Sequence, residues 1–145
     1  MIHLTTFSIA ARCPRTGMLG VAVCTAVPGV GSLAPFVRPG VGAIATQSYV
    51  NPYLGIDGLH LLSQGLTAKQ ALERLLAADP LSDIRQLSIV DAKGRVAAHT
   101  GANCTPWHGH RTGKGYSAAG NMLVDEATVN AMAEEFEKRS RLELP

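Results

Sequence analysis

Acidic residues are missing from the first 56 positions of this 145-residue chain. All 11 carboxylates lie at or after Asp57, and Arg38 is the single charged residue between Arg15 and Asp57. Charged residues make up 17% of the chain, below the roughly 25% of an average soluble domain. Because a protein surface needs charge to stay in solution, we predict that these 56 residues lie mostly in the interior or cover a partner.

Other scarcities exclude several classes of protein. The formal net charge of +2 comes without a basic cluster, which argues against nucleic-acid binding. The uncharged run Thr16–Val37 contains four glycines and two prolines, which break a continuous helix, so no membrane span is predicted. Met1–Leu4 shows no signal-peptide pattern. The three cysteines are odd in number and widely spaced, which excludes a disulfide framework and suits a reducing cytoplasm.

The first 50 residues have the patterns of strands. Thr6–Arg12 and Met18–Thr25 are joined by a turn rich in proline and glycine, and they predict an antiparallel hairpin. The second of these strands is apolar throughout, so we expect it to be buried on both faces. Val27–Pro39 predicts a loop, and Val41–Gln47 predicts a further short strand.

Two helices are predicted next. Ile56–Gln64 carries apolar residues on one face and ends at Gly65, a typical helix C-cap. Thr67 then precedes a second helix that runs to about Ala78. Because Gln70 follows three residues after Thr67, the pair has the spacing of a capping box.

The remaining segments predict a second hairpin, a strand and a last helix. Arg85–Asp91, in which Gln86 and Ser88 alternate with Leu87 and Ile89, pairs with Arg95–His99. Thr100–Gly115 is a loop, Tyr116–Asn121 is a strand and Asp125–Arg141 is helical. Strands and helices that are segregated in this way predict α+β layers rather than an alternating doubly wound sheet. The length fits one domain over residues 1–145.

The densest polar feature is the segment from residue 99 to residue 110. It contains His99, Cys104, His108 and His110, and imidazole and thiolate are zinc ligands. No second ligand pair with a typical spacing is present, so a metal site is not predicted. The alternatives are histidines that hydrogen-bond the backbone and shape the loop, or one histidine that acts as a general acid or base or orients a substrate.

Polar residues at strand ends are further candidates. Thr46, Gln47 and Asn51 follow an apolar strand, where such groups either line a pocket or form a turn. Asn121 ends a strand, where its amide could stabilise an oxyanion or help to cap a helix. Arg38 is isolated among uncharged residues, and it is expected to be exposed, paired or bound to an anion.

Several segments together resemble a known family. The similar segments are spread over both halves of the chain: Thr6–Ile9, Leu19–Val23, Gly40–Gln47, Val50–Pro52, Asp91–Gly101, Gly113–Ser117 and Gly120–Leu123. This combination resembles domain-of-unknown-function family 1028, whose fold is similar to that of the N-terminal-nucleophile (Ntn) hydrolases. The resemblance covers nearly the whole chain.

The resemblance implies a four-layer αββα sandwich that cleaves an amide bond. In Ntn hydrolases the nucleophile is the side chain of an N-terminal Thr, Ser or Cys, and the free α-amine, with a pKa of about 8, is the base. Carried over by position, Thr6 is the candidate nucleophile. Our hypothesis adds two catalytic residues: Asn121, which with a backbone N–H would stabilise the oxyanion, and His99, which would orient the substrate. The residues expected to bind substrate are Arg38, Thr46, Gln47, Asn51 and His110.

The chain differs in three respects from the family and from the Ntn hydrolases that it resembles. Met1 precedes a bulky residue and is not expected to be trimmed, so a free amine on Thr6 requires cleavage after Thr5. Ntn sites commonly place a carboxylate near the nucleophile, whereas the first acid here is Asp57. The family generally continues beyond the last helix into closing strands, so a chain that ends at Pro145 is expected to be a fragment or a shortened member.

Two functions are compatible with these features. The first is an Ntn-type hydrolase that acts on an amide bond of a small or peptide-like substrate without a cofactor. The second is a non-catalytic member that binds a small molecule through the same fold. We expect no nucleic-acid or membrane partner, and we expect a homo-oligomer because a truncated end would leave sheet edges uncovered.

Overall fold

The structure is a computed structural model that describes residues 5–140. Its strands and helices in chain order are β1 Thr6–Arg12, β2 Leu19–Thr25, β3 Pro35–Arg38, β4 Gly42–Ser48, α1 Pro52–Ser63, α2 Ala68–Ala78, β5 Arg85–Asp91, β6 Val96–Thr100, β7 Gly109–Gly113, β8 Tyr116–Asn121 and α3 Ala127–Lys138.

The strands form two antiparallel sheets of four. One sheet has the order β2-β1-β8-β7 and the other has the order β3-β4-β5-β6. In the first sheet β1 and β8 come from opposite ends of the chain and pair at the centre. The predicted α+β class is therefore confirmed, with two antiparallel sheets and three α-helices within residues 5–140.

The two sheets pack face to face between the helices. Helices α1 and α2 cover the outer face of the β3–β6 sheet, and α3 covers the outer face of the other sheet. Small apolar side chains fill the space between the sheets near the β1–β2 turn, namely Ala10, Ala43 and Val90. The layers therefore run helix, sheet, sheet, helix.

The acid-free segment is only partly interior. Strands β1 and β4 are central and largely buried. The expectation that the second strand is buried on both faces is wrong, because β2 is an edge strand and its side chains, including Cys24, are partly or fully exposed. Arg38 and most of the loop before it are exposed as well. The missing charge thus marks an uncharged surface as well as a core.

Helix α1 begins earlier than its apolar pattern predicts. Asn51 caps it by accepting a hydrogen bond from the Tyr53 N–H at 3.2 Å, and Pro52 occupies the first helical position. Proline favours that position because its missing N–H would have no partner there. The predicted capping box of α2 is confirmed by reciprocal bonds between Thr67 and Gln70 at 3.0 and 3.1 Å.

Two strands lie where loops were predicted. Strands β3 and β7 are short edge strands of four and five residues, and each pairs on one side only. Pro35 can begin β3 because an edge strand need not donate every backbone hydrogen bond. The last helix begins at Ala127, and its predicted end at Arg141 lies outside the described residues.

In the part of the chain described, no helix is long and apolar enough to cross a membrane. The three cysteines are free thiols, with Cys13 and Cys104 buried and Cys24 exposed.

Close contact between α1 and its sheet depends on glycine, and substitution there should destabilise the fold. A Cβ on Gly55 would lie 2.1–2.6 Å from three ring atoms of Phe36. We expect Gly55→Ala to lower the free energy of unfolding by about 1–3 kcal/mol, measured by urea denaturation, because the ring must move. The exposed neighbour Asp57 provides the control Asp57→Ala, which should have little effect. Equal stability of Gly55→Ala and the parent protein would contradict this packing.

Candidate functional site

Thr6 begins β1 and lies at the edge of the space between the sheets. It pairs across the strands with Thr25 on one side and with Asn121 on the other. Its Oγ1 is 2.9 Å from the Oγ1 of Thr25, and the residue is 8% exposed. Side chains alternate along a strand, and Ala10 on β1 packs between the sheets, so Thr6 and Ser8 face the same way.

Three buried amides meet at this end of the molecule, and we call Gln47, Gln86 and Asn121 the amide cluster. The Oε1 of Gln86 accepts hydrogen bonds from Gln47 Nε2 at 2.7 Å and from Asn121 Nδ2 at 3.0 Å. Its Nε2 donates to the carbonyl oxygens of Gly120 at 2.9 Å and Gly109 at 3.0 Å. Because Gln86 belongs to one sheet and Gly109, Gly120 and Asn121 to the other, this side chain joins the two sheets.

The amide cluster extends to a histidine. Gln86 Nε2 is also 3.0 Å from Thr100 Oγ1, so its two hydrogens are shared among three acceptors, and that oxygen is 2.8 Å from His110 Nδ1. Partial desolvation of the ring and the nearby His99 imidazole lower the pKa of His110, which favours its neutral form. Either tautomer of the neutral ring makes this bond, as acceptor from the Thr100 hydroxyl or as donor to it. His110 is thus connected to Asn121 through Thr100 and Gln86.

Polar atoms near the amide cluster retain hydrogen-bonding capacity. Ser8 Oγ, Gln47 Oε1 and Ser48 Oγ are buried and have no hydrogen-bond partner within residues 5–140. A buried polar atom without a partner costs about 1–3 kcal/mol, so native proteins keep few of them. Three such atoms at one end of the sheets are typical of a place that receives a polar ligand.

The backbone is strained at the same end. Ser48 has φ of 71° and Met122 has φ of 55°, values that side chains other than glycine rarely adopt. Ser48 directly follows Gln47, and Met122 directly follows Asn121. Strain of this kind costs about 1–3 kcal/mol and tends to accumulate at functional sites.

Thr46 and Asn51 lie outside this inter-sheet group. Thr46 Oγ1 donates to the Asn51 carbonyl oxygen at 3.4 Å, and Asn51 caps α1. Since Gln47 faces the inter-sheet space, the adjacent Thr46 faces the helices. Of the three polar residues predicted around the end of β4, the structure therefore brings only Gln47 to Thr6 and Asn121.

His99 and Arg38 are also separated from Thr6. His99 pairs with Leu87, which packs against the helices, and its Nε2 donates to the Ser82 carbonyl oxygen at 2.9 Å. Arg38 pairs with Gly42 at the opposite end of β4 from Gln47 and is exposed. The described clefts likewise lie elsewhere, against α2, beside α3 and next to Arg38.

The histidine-rich segment forms no recognisable metal centre. Cys104 is buried and its thiol donates to the Arg85 carbonyl oxygen at 3.4 Å. In the described portion of the chain, no group of three His, Cys, Asp or Glu side chains is arranged to hold a metal ion. The backbone bonds of Cys104 and His99 agree with the alternative in which these side chains shape the loop.

No sequence pattern singled out Gln86, Thr25 or the ion pair of Asp79 and Arg85. Arg85 Nε donates to Asp79 Oδ2 at 2.8 Å, and this bond lowers the pKa of Asp79. Arg85 Nη1 also donates to the Tyr49 carbonyl oxygen at 2.6 Å, which holds the chain next to Ser48. Only the position of Gln86 and Ser88 in a polar alternation hinted at an inner polar face.

Removal of the central amide should destabilise the protein. Gln86→Leu removes the partner that is shared by the amide nitrogens of Gln47 and Asn121 and by the carbonyl oxygens of Gly109 and Gly120. We expect the free energy of unfolding to fall by about 3 kcal/mol in urea denaturation. Gln64 is exposed, so Gln64→Leu is the matched control and should change stability far less. A loss no larger than that of the control would show that the sheets do not depend on this amide.

The titration of His110 gives a second prediction. Its lowered pKa means that the folded protein binds fewer protons than the unfolded chain, so stability should decrease as the pH falls below about 6.5. His99→Gln removes one of the two causes and should raise the pKa of His110, measured by NMR titration of the ring protons. His60→Gln, at the exposed end of α1, is the control. An unchanged pKa in His99→Gln would exclude coupling of the two imidazoles.

Comparisons with known proteins agree with this architecture. No curated protein matches the chain. The crystal structure of protein SPO2555 from Silicibacter pomeroyi, of the DUF1028 family, is similar with a TM-score of 0.88 and 32% sequence identity. The similarity covers 92% of this chain and 62% of that one, so the chain spans less than two thirds of that structure. The profile of DUF1028, a family of unknown function, matches residues 6–145. The chain therefore belongs to the DUF1028 family.

Proposed function

We propose that this protein is an Ntn-type hydrolase that cleaves an amide bond in a small or peptide-like substrate, with Thr6 as the nucleophile. The observation that carries the proposal is the direct cross-strand pairing of Thr6 with Asn121 at the edge of the inter-sheet space. Side chains paired in this way have Cβ atoms about 5 Å apart. A hydroxyl nucleophile and an amide donor therefore lie within reach of one carbonyl group.

The proposed chemistry needs a free amine on Thr6. Cleavage of the bond between Thr5 and Thr6 would expose the α-amine, which takes the proton of Oγ1 as the oxygen attacks the substrate carbonyl carbon. The C–N bond of the substrate then breaks, the proton passes to the leaving amine, and an ester on Thr6 remains. Water hydrolyses that ester, with the amine again accepting and returning a proton.

Asn121 supplies the oxyanion donor in this scheme. One hydrogen of its Nδ2 is bonded to Gln86 Oε1, and the other has no partner among the described residues. A preorganised donor of this type stabilises the charge that develops on the carbonyl oxygen. Gln86 holds the amide in place, and Ser8 Oγ and Gln47 Oε1 offer free polar atoms to the substrate.

The layer order also supports the proposal, because helix, sheet, sheet, helix is the order that the Ntn resemblance implies. This support is an analogy at the level of the fold, and folds host many functions. A reducing compartment and a homo-oligomer remain predictions from the sequence.

One observation favours a non-catalytic binding protein as the second candidate. The Thr5 carbonyl oxygen accepts a hydrogen bond from the Ala26 N–H at 3.3 Å, so the chain before Thr6 continues along the pairing of β1 with β2. While the bond between Thr5 and Thr6 is intact, the nitrogen of Thr6 is an amide and cannot act as the base. The same polar groups would then bind a small molecule without cleaving it.

Covalent labelling tests the nucleophile. Two forms of the protein are compared by intact mass: the full chain, and a form in which Thr6 directly follows the initiator methionine, which aminopeptidases remove before a small residue. A β-lactone probe acylates a threonine hydroxyl by ring opening and adds its own mass. We expect one equivalent on the form that begins at Thr6, retention in Thr6→Ser, and loss in Thr6→Ala.

The control for this labelling is Thr16→Ala, which removes an exposed hydroxyl from the β1–β2 turn and should label like the parent. Labelling that persists in Thr6→Ala would exclude Thr6 as the reactive group. The binding protein would be favoured if amides or ureides raise the melting temperature and neither form of the protein is labelled or turns them over.

A further inference from the structure

A cationic cleft lies at the opposite end of the molecule from Thr6. Its volume is about 400 Å³, and it is bounded by the β3–β4 turn, the β5–β6 turn and the connection between α1 and α2. Its charged lining residues are Arg38, Lys93, Arg95 and Asp91. We use the name cationic cleft for the space that these four residues line.

Both carboxylate oxygens of Asp91, the one acidic residue of the four that line the cationic cleft, accept hydrogen bonds. Asp91 Oδ1 accepts from the backbone N–H groups of Lys93 at 2.9 Å and Arg95 at 3.0 Å. Its Oδ2 accepts from Arg95 Nε at 2.6 Å and from the Ala68 N–H at 3.2 Å. Asp91 is 3% exposed, so its carboxylate is not available to the other cations.

The two remaining cations are free. The side chains of Arg38 and Lys93 are exposed, and neither has a hydrogen bond or ion pair with any residue from 5 to 140. Asp91 balances Arg95, so the cleft carries an excess of two positive charges. The whole chain has a formal net charge of +2, and an excess of the same size is thus gathered in this one cleft.

Backbone hydrogen bonds fix the two turns from which these side chains extend. The Val41 N–H donates to the Arg38 carbonyl oxygen, and the Ala92 N–H donates to the Val41 carbonyl oxygen, each at 3.0 Å. The second bond joins the two hairpin turns directly. Arg95 uses Nε for Asp91, which holds the guanidinium in place and leaves its two terminal nitrogens without a partner among residues 5–140. A guanidinium that is already held in this way loses less entropy when a ligand binds.

We propose that the cationic cleft binds the phosphate group of a small phosphate monoester. Guanidinium groups pair with phosphate oxygens in a bidentate manner, and an ammonium group adds a point charge. Arg38, Lys93 and Arg95 can address the three terminal oxygens of a dianion, whose charge matches the excess of the cleft. The volume is at the small end of the range for ligand pockets, which limits the ligand to metabolite size.

This site is distinct from the proposed Thr6 site. Arg38 pairs with Gly42, whereas the amide cluster begins at Gln47 on the same strand. Five residues of extended chain span roughly 17 Å at 3.3 Å per residue. The phosphate site is therefore a second site, and its existence does not depend on catalysis at Thr6.

Calorimetric titration at constant ionic strength tests the proposal on the full chain. The probes are inorganic phosphate, glycerol phosphate and succinate. We expect one saturable site for the two phosphate compounds, with succinate at least tenfold weaker. The double variant Arg38→Gln with Lys93→Gln should lose at least tenfold in affinity for the phosphate compounds. The control Lys138→Gln, which removes one exposed cation on α3, should bind them like the parent.

Several results would overturn the proposal. These are no saturable binding of either phosphate compound, equal affinity in the double variant, or succinate bound as tightly as phosphate. Thermal unfolding checks that the double variant is folded, and Arg38→Gln alone serves if it is not. Thr6→Ala should leave phosphate binding unchanged, so failure of the phosphate site and failure of the hydrolase proposal are separate outcomes.

Discussion

The arrangement of the two sheets depends on the hydrogen bonds of the Gln86 carboxamide. This fully buried side chain bonds Gln47 within its own sheet and Asn121, Gly109 and Gly120 in the facing sheet. A buried amide is tolerated only when its donors and acceptors are satisfied, so each bond restricts where the second sheet can lie. The register that places Thr6 opposite Asn121 is part of the same constraint.

The two ends of the inter-sheet space are different in kind. Near the β1–β2 turn the sheets meet through small apolar side chains, and Ser88 and Ser117 bond across the middle at 2.8 Å. At the Thr6 end, amides, hydroxyls and strained backbone replace the apolar contacts. The sheets are thus held together by apolar packing at one end and by the hydrogen bonds of the amide cluster at the other.

The sequence predicted the elements whose signals are local. Periodicity and the capping box of Thr67 and Gln70 located α2, and alternation located β5. Edge strands β3 and β7 were missed because a strand that pairs on one side only needs few apolar residues.

The candidate site was predicted in part, since Thr6 and Asn121 are neighbours. His99 and Arg38 lie away from these two residues. Long-range strand pairing alone decides which face and which end of a sheet a residue occupies, and the sequence does not show that pairing. Gln86 was missed because its partners are distant in sequence.

The bond between the Thr5 carbonyl oxygen and the Ala26 N–H has a consequence for the timing of any cleavage before Thr6. A peptide bond held in a sheet does not fit a protease active site, which accepts an extended strand only after its neighbour has left. Release of Thr6 from the folded protein by a separate protease would therefore wait for that corner of the sheet to open. The rate of maturation would follow this local opening, which amide hydrogen exchange reports, rather than the global stability of the domain.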